Sequence, residues 1–241
     1  MRQLAILYLL TNFSLINFGQ ININPVIENS ASKNDSTSNP MSYYSKLKLI
    51  DRFDNALQKD TATRIVKAQF SPIFIGDKKT EITITYNASK VGNRTGKWVN
   101  YKIPDSNSMI IFIDTTKSVG SPMGVWEYLN KADYRKDKIA YPVFIENISI
   151  DTLEIGFGDI LPIIMEAKDE NGIWKPIQKK FIYGCGKGLT EFFLAPKQIA
   201  ITTMKQFEGT FKTKLRLVYS YTTLKIYSNE INGYINKEQF E

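Results

Sequence analysis

The chain has no histidine and a single cysteine, Cys185. Without an imidazole to move protons, Ser-His-Asp and Cys-His catalytic arrangements are excluded. So are zinc sites built from His and Cys. One cysteine cannot close an intrachain disulfide, so stability has to come from the core. A dense basic stripe is missing as well. The formal net charge is +7, but residues 139–241 hold 12 basic and 12 acidic side chains, so the excess is scattered over residues 1–138. Lys78-Lys79 and Arg135-Lys136 are short pairs beside acidic neighbours. With no reading helix or aromatic platform to accompany these charges, they describe a mildly basic solvated surface and no nucleic-acid interface.

Long uninterrupted apolar runs are absent too. The N-terminal apolar stretch begins at Leu4 and continues through Phe13, Leu15, Ile16 and Phe18, but Thr11, Asn12, Ser14 and Asn17 break it. It falls short of the roughly 20 apolar residues that a membrane span needs. With Arg2 ahead of it and the small Gly19 behind, residues 1–19 read as a secretory signal peptide whose removal leaves Gln20 first. No cysteine near that point suits lipid attachment. Export is therefore expected, to the periplasm, cell surface or medium, with no transmembrane span after cleavage. Residues 20–45 read as a flexible tether, because Glu28 to Pro40 (ENSASKNDSTSNP) offers little apolar surface to offset the entropy of ordering.

What the sequence does contain favours strands. Hydrophobic content of 43% and charged content of 23% suit a folded chain, and 14 Phe and 13 Tyr suit a pleated surface. Leu47, Ile50, Phe53, Ala56 and Leu57 recur at helical spacing, which predicts a short helix from about Lys46 to Gln58. From Ile65 the period becomes two, with strands expected at 65–70, 81–86, 97–103 and 109–113, then a helical turn within 122–134. In the second half strands are expected at 141–148, 152–157, 160–168, 173–182, 190–194, 198–204, 210–219, 223–227 and 233–235. Asn171-Gly172 is expected to supply two positive-φ residues for a tight hairpin turn. The fold class is all-β: an antiparallel immunoglobulin-like β-sandwich over 139–241, preceded by a mainly-β region over 46–138 carrying the short leading helix.

The run Trp174-Lys175-Pro176-Ile177, then Cys185-Gly186, Leu194-Ala195-Pro196, and the ending Tyr227-Ser228-Asn229-Glu230 with Gly233 and Gln239-Phe240, resembles a group of exported bacterial proteins. The resemblance covers residues 60–241. It implies a β-sandwich and a secreted life, and brings no activity with it.

Several residues invite chemistry and were weighed against structural roles. Cys185, in Tyr183-Gly184-Cys185-Gly186-Lys187-Gly188, has a cation beside it but no base, so a structural thiol between bending glycines is the better reading. The same glycines fail as a phosphate loop, because Phe181 stands where the leading glycine belongs and a strand follows. Asp105-Ser106-Asn107-Ser108-Met109 opens like a calcium loop but puts Met109 at a ligand position, so it reads as a turn. Glu166 and Glu191 are the candidate pair for a histidine-free glycoside hydrolase. The alternating strand from Phe211 to Leu217 turns Leu215 and Leu217 inward and Lys212, Lys214 and Arg216 outward, the cations about 7 Å apart. A nearby Tyr or Trp174 is the aromatic expected to stack beside them. Trp98, Trp126 and Trp174 otherwise read as core or rim aromatics. The functional expectation is an exported non-catalytic binding or structural module, using Lys212, Lys214, Arg216 and Trp174 toward a protein or glycan of the cell envelope. No cofactor and no metal are expected. The alternative is a carbohydrate-active hydrolase working through two carboxylates.

Overall fold

The structure is a computed structural model that describes residues 40–51, 58–84, 100–121, 138–158, 160–182, 191–221 and 223–240. The expected signal peptide, the tether up to residue 39, the helical turn within 122–134, Trp98, Trp126 and Cys185 lie outside the described residues. The chain is nearly all β, with several antiparallel sheets. In chain order the elements are the helix α1 (Pro40–Lys46), then β1 (Lys48–Ile50), β2 (Val66–Lys67), β3 (Phe74–Asp77), β4 (Glu81–Thr83), β5 (Met109–Ile113), β6 (Val119–Ser121) and β7 (Lys138–Asn147). There follow β8 (Leu153–Phe157), β9 (Ile163–Lys168), β10 (Trp174–Pro176), β11 (Gln178–Lys179), β12 (Glu191–Leu194), β13 (Gln198–Lys205), β14 (Phe211–Tyr219), β15 (Ile226–Tyr227) and β16 (Ile231–Ile235). A 3-10 turn, Lys237–Phe240, follows β16.

Two five-stranded antiparallel sheets form the body. The first runs β3-β13-β7, with β5 and β6 sharing the far side of β7; the second runs β10-β9-β14, with β15 and β16 sharing the far side of β14. Their inner faces meet in one core. Val143, Ile145, Ile111, Ile113, Ala200 and Met204 come from the first sheet, and Met165, Ala167, Leu215, Leu217 and Tyr219 from the second. The short pair β8-β12 adds Leu153, Ile155, Phe192 and Leu194 to that core. The sandwich does not close within the C-terminal half, because β3, β5 and β6 all precede residue 138 and pair with β7 and β13. β7 and β13 of the C-terminal region thus share a sheet with strands of the region before residue 138.

The outer face of the first sheet is also covered. Tyr44 and Leu47 from α1 and its exit, with Ile73, Ile82 and Ile84, pack on Phe144, Ala140, Ile199 and Ile201 in a second core. Tyr44 stacks on Phe144 with ring centroids 4.4 Å apart. Burial on both sides explains why β7 and β13 carry almost no polar-apolar alternation: their interiors are buried residue after residue. It also demands hydrogen-bonded partners for the polar groups caught beneath α1. The Tyr44 hydroxyl donates to Glu146 Oε2 at 2.5 Å, and Lys78 also pairs with Glu146. Burial, reinforced by that carboxylate, pushes the Tyr44 hydroxyl well above the ordinary tyrosine range. Lys117 Nζ bridges the Tyr44 carbonyl and Asp114 Oδ2, each at 2.7 Å.

Residues 40–45, expected within the tether, belong to α1, and residues 52–57 of the helix expected over 46–58 lie outside the described residues. Pro40 is the first residue of α1, where its missing N–H leaves no intrahelical bond unmade. Residues 48–50, expected to be helical, form β1 and pair in parallel with β4, setting Leu49 against Ile82. There a backbone ladder overrides the helical apolar spacing. The expected strand 173–182 also divides. Trp174–Pro176 pairs with β9, then Gln178–Lys179 leaves for β2. In the hairpin loop only Gly172 adopts positive φ (76°); Asn171 does not. Asp169 Oδ1 accepts the N–H groups of Asn171 and Ile173, a three-residue loop in place of the two-residue turn expected. Those bonds, with Lys175, hold the Asp169 carboxyl below the usual range.

Pro142 stands in the middle of an interior strand, where a missing donor is normally excluded. Its carbonyl accepts from the Asp114 N–H at 3.1 Å, so this edge of its peptide faces the gap between the end of β5 and the start of β6. No ladder donor is needed there.

Asp114 is 3% exposed. Burial alone raises its carboxyl, but hydrogen bonds from Lys117 and Thr116 outweigh burial and hold it below the usual range. A depressed folded value contributes stability above the unfolded pKa of about 4, lost as pH falls through the folded value. Acidification from about pH 5 to about pH 3 is therefore expected to lower the melting temperature more in the parent chain than in Asp114→Asn. Parallel melting curves followed by circular dichroism check this.

Candidate functional site

Two regions combine accessible charge with aromatic rings. The first is the outer face of the second sheet. No element among the described residues covers it as α1 covers the first sheet, which is why β14 keeps its alternation: Lys212 and Lys214 exposed, Leu215 and Leu217 buried. The four residues singled out from the sequence share this face. Register puts Arg216 opposite Glu166 and Trp174 opposite Lys168.

Their surroundings differ. The Arg216 guanidinium lies 4.1 Å from the Trp174 ring centroid and 4.1 Å from that of Tyr227, and both its Nε (2.9 Å) and Nη2 (2.7 Å) donate to Glu166 Oε2. Lys168 Nζ sits 4.9 Å from the Trp174 ring and 3.5 Å from Glu230. Arg216 and Trp174 are thus bound into a stack that braces the sheet, the guanidinium's planar delocalised charge fitting between rings as an ammonium would not. Lys212 and Lys214 have no acidic partner among the described residues. They stand opposite Tyr234 and Asn232, and Tyr234 is itself exposed. At Lys212 and Lys214 β14 pairs with β16, while its register with β9 begins only at Leu215, so the two lysines flank a locally open edge as well as the outer face.

The second region is a cleft of about 510 Å³ beside β8-β12, lined by Tyr101, Glu154, Phe157, Pro162, Lys180, Phe181, Glu191, Ser220 and Tyr221. A β-bulge builds it. Phe192 pairs with Gly156 while Phe193 pairs with Glu154, so β8 carries one extra residue. Ile155 belongs to the core, and a Cβ added at Gly156 would point at Leu161 and Phe192, which are core residues too. Two successive core-facing positions bring Glu154 and Phe157 onto the same outer side, where strict alternation would separate them.

Glu154 is 3% exposed and accepts a hydrogen bond from the Tyr221 hydroxyl. The Tyr219 hydroxyl reaches the Glu154 carbonyl at 3.4 Å. Beside β8, next to the Lys102 that pairs with Leu153, Tyr101 is 48% exposed and tilts against Phe193, ring centroids 5.3 Å apart. The negative charge of Glu154, with a smaller part from Glu191, raises the Tyr101 hydroxyl above its ordinary range.

The carboxylates weighed as a hydrolytic pair are separated. Glu191 lines the cleft, whereas Glu166 is bound to Arg216 on the sheet face. The companion of Glu191 is Glu154, which sequence reasoning missed because period-two patterning takes no account of a bulge. The Asp105 segment is a turn in which Asp105 Oδ1 accepts the Asn107 N–H at 3.0 Å.

The Arg216–Glu166 side chains are 19% and 10% exposed, nearer the regime in which removing one partner costs about 3 kcal/mol than that of a surface pair worth under about 1 kcal/mol. Arg216→Ala is expected to lose stability on that larger scale. The double variant with Glu166→Ala should lose less than the two single losses added together, as a urea-unfolding cycle would measure.

No protein-family model matches this chain, and neither curated proteins nor solved structures give a significant match.

Proposed function

We propose that this protein is an exported, non-catalytic module that binds an anionic glycan or another acidic component of the cell envelope through the outer face of the β9-β10-β14-β16 sheet. The observation that carries this reading is the contrast between Lys212 and Lys214 and their neighbours. Arg216, Lys168 and Lys175 on or beside this face are each met by an acidic side chain, while these two exposed lysines are not. Two cations about 7 Å apart on a braced surface suit a repeating anion, and Tyr234 beside them offers a ring to stack on a sugar. The Arg216–Trp174–Tyr227 stack supplies rigidity to this surface and no direct contact. The absence of histidine from the whole sequence accords with binding without proton-transfer chemistry.

The hydrolase alternative draws its support from Glu154 and Glu191 sharing a cleft. In that reading Glu154, which accepts a hydrogen bond from the Tyr221 hydroxyl, would be the carboxylate and Glu191 the proton donor.

Replacing Lys212 and Lys214 together by Ser is expected to weaken binding to an acidic polysaccharide such as heparin by roughly tenfold, about 1.4 kcal/mol. Raising salt should weaken the parent chain in the same direction. Unchanged affinity in the double variant, measured by calorimetry, would remove the basis for this site. The export part has its own check. Protein purified from the native source should begin at Gln20, and mass spectrometry finding Met1–Gly19 intact would contradict export by cleavage.

A further inference from the structure

The cleft beside β8-β12 lies outside the sheet face and calls for its own ligand. Its two carboxylates, Glu154 and Glu191, stand with four aromatic side chains, Tyr101, Phe157, Phe181 and Tyr221. Lys180, the one cation of the lining among the described residues, is exposed, so water screens its charge. Glu154 is buried in the wall and accepts a hydrogen bond from the Tyr221 hydroxyl, which fixes its carboxyl in place. Ring faces attract cations, and carboxylates add directional hydrogen bonds for any cation that carries N–H groups. About 510 Å³ is the size of a small-molecule site. Two carboxylates would repel an anion, and a neutral sugar would gain hydrogen bonds from them but no charge attraction. An ammonium group gains from the carboxylates and the rings alike.

We propose that this cleft binds a small organic cation carrying a primary ammonium group on an aliphatic stem, with Glu154 and Glu191 accepting its N–H groups and the tyrosine and phenylalanine rings packing its stem. The site is independent of the sheet face, and neither depends on the other being correct. Tyr101, half-exposed, lines the cleft beside Glu154. Its hydroxyl already feels both carboxylates, which places their combined field at the mouth where a cation would arrive.

The test is calorimetric titration of the full chain with 1,5-diaminopentane at low salt, with tetramethylammonium as the comparison cation. Saturable binding of the diamine is expected, weakened at least tenfold in Glu191→Gln and in Tyr101→Ala, and unchanged in the Lys212→Ser, Lys214→Ser double variant. Glu191 and Tyr101 are both partly accessible, so these variants test the site without emptying the core, and melting curves confirm that each is folded. No saturable binding by the parent chain would overturn the proposal, as would equal affinity in Glu191→Gln. Tetramethylammonium binding as tightly as the diamine would overturn the assignment to a primary ammonium, since it has no N–H to donate. Release of reducing ends from a polysaccharide, lost in Glu191→Gln, would also overturn it by assigning the cleft to hydrolysis.

Discussion

The sheet built on β7 and β13 is buried on both faces, and the rest of the molecule is arranged around that constraint. A sheet with two apolar faces needs two covers. The second sheet supplies one and α1 with the β1-β4 pair supplies the other. Each cover brings polar groups that must be met inside. Glu146 therefore takes Tyr44 and Lys78, and Asp114 takes Lys117 and Thr116. An unpaired carboxylate in either position would cost several kcal/mol, on the scale of the whole stability of a domain.

Among the described residues the second sheet has only one buried face, and this asymmetry makes a surface available. Its outer side is ordered by the register β10-β9-β14, which aligns Trp174, Lys168, Glu166 and Arg216 into a stacked and ion-paired row. That row fixes the backbone beneath Lys212 and Lys214 while leaving their charges unspent. A bulge performs the comparable task at the cleft. By inserting one residue opposite Phe192 and Phe193, it turns a core-forming strand into one that also presents a carboxylate and an aromatic ring on its other side.

Much of the strand inventory was legible. Met109–Ile113 is β5 residue for residue, and the expected 198–204 and 210–219 differ from β13 and β14 by a single residue at one end. These segments are long or cleanly patterned, so the ladder simply confirms the side-chain period. Where helical spacing was expected to continue, as at Ile50, pairing of Lys48–Ile50 with Glu81–Thr83 decided for a strand. Pro142 gave no clue to its location in an interior strand, since that depends on a gap left by two other strands.

The candidate surface was half legible for the same reason. Alternation in Phe211–Leu217 put Lys212, Lys214 and Arg216 on one face, and this needs nothing beyond the two-residue period of a strand. That Arg216 is neutralised by Glu166 and clasped between Trp174 and Tyr227 depends on strands far apart in sequence meeting in one register. Composition alone fixed the missing imidazole and disulfide, and local pattern fixed the β class. Which carboxylate joins Glu191 and which cations stay unpaired were settled by tertiary structure. Charge compensation and bulge geometry act between strands, and no single segment of sequence contains both partners.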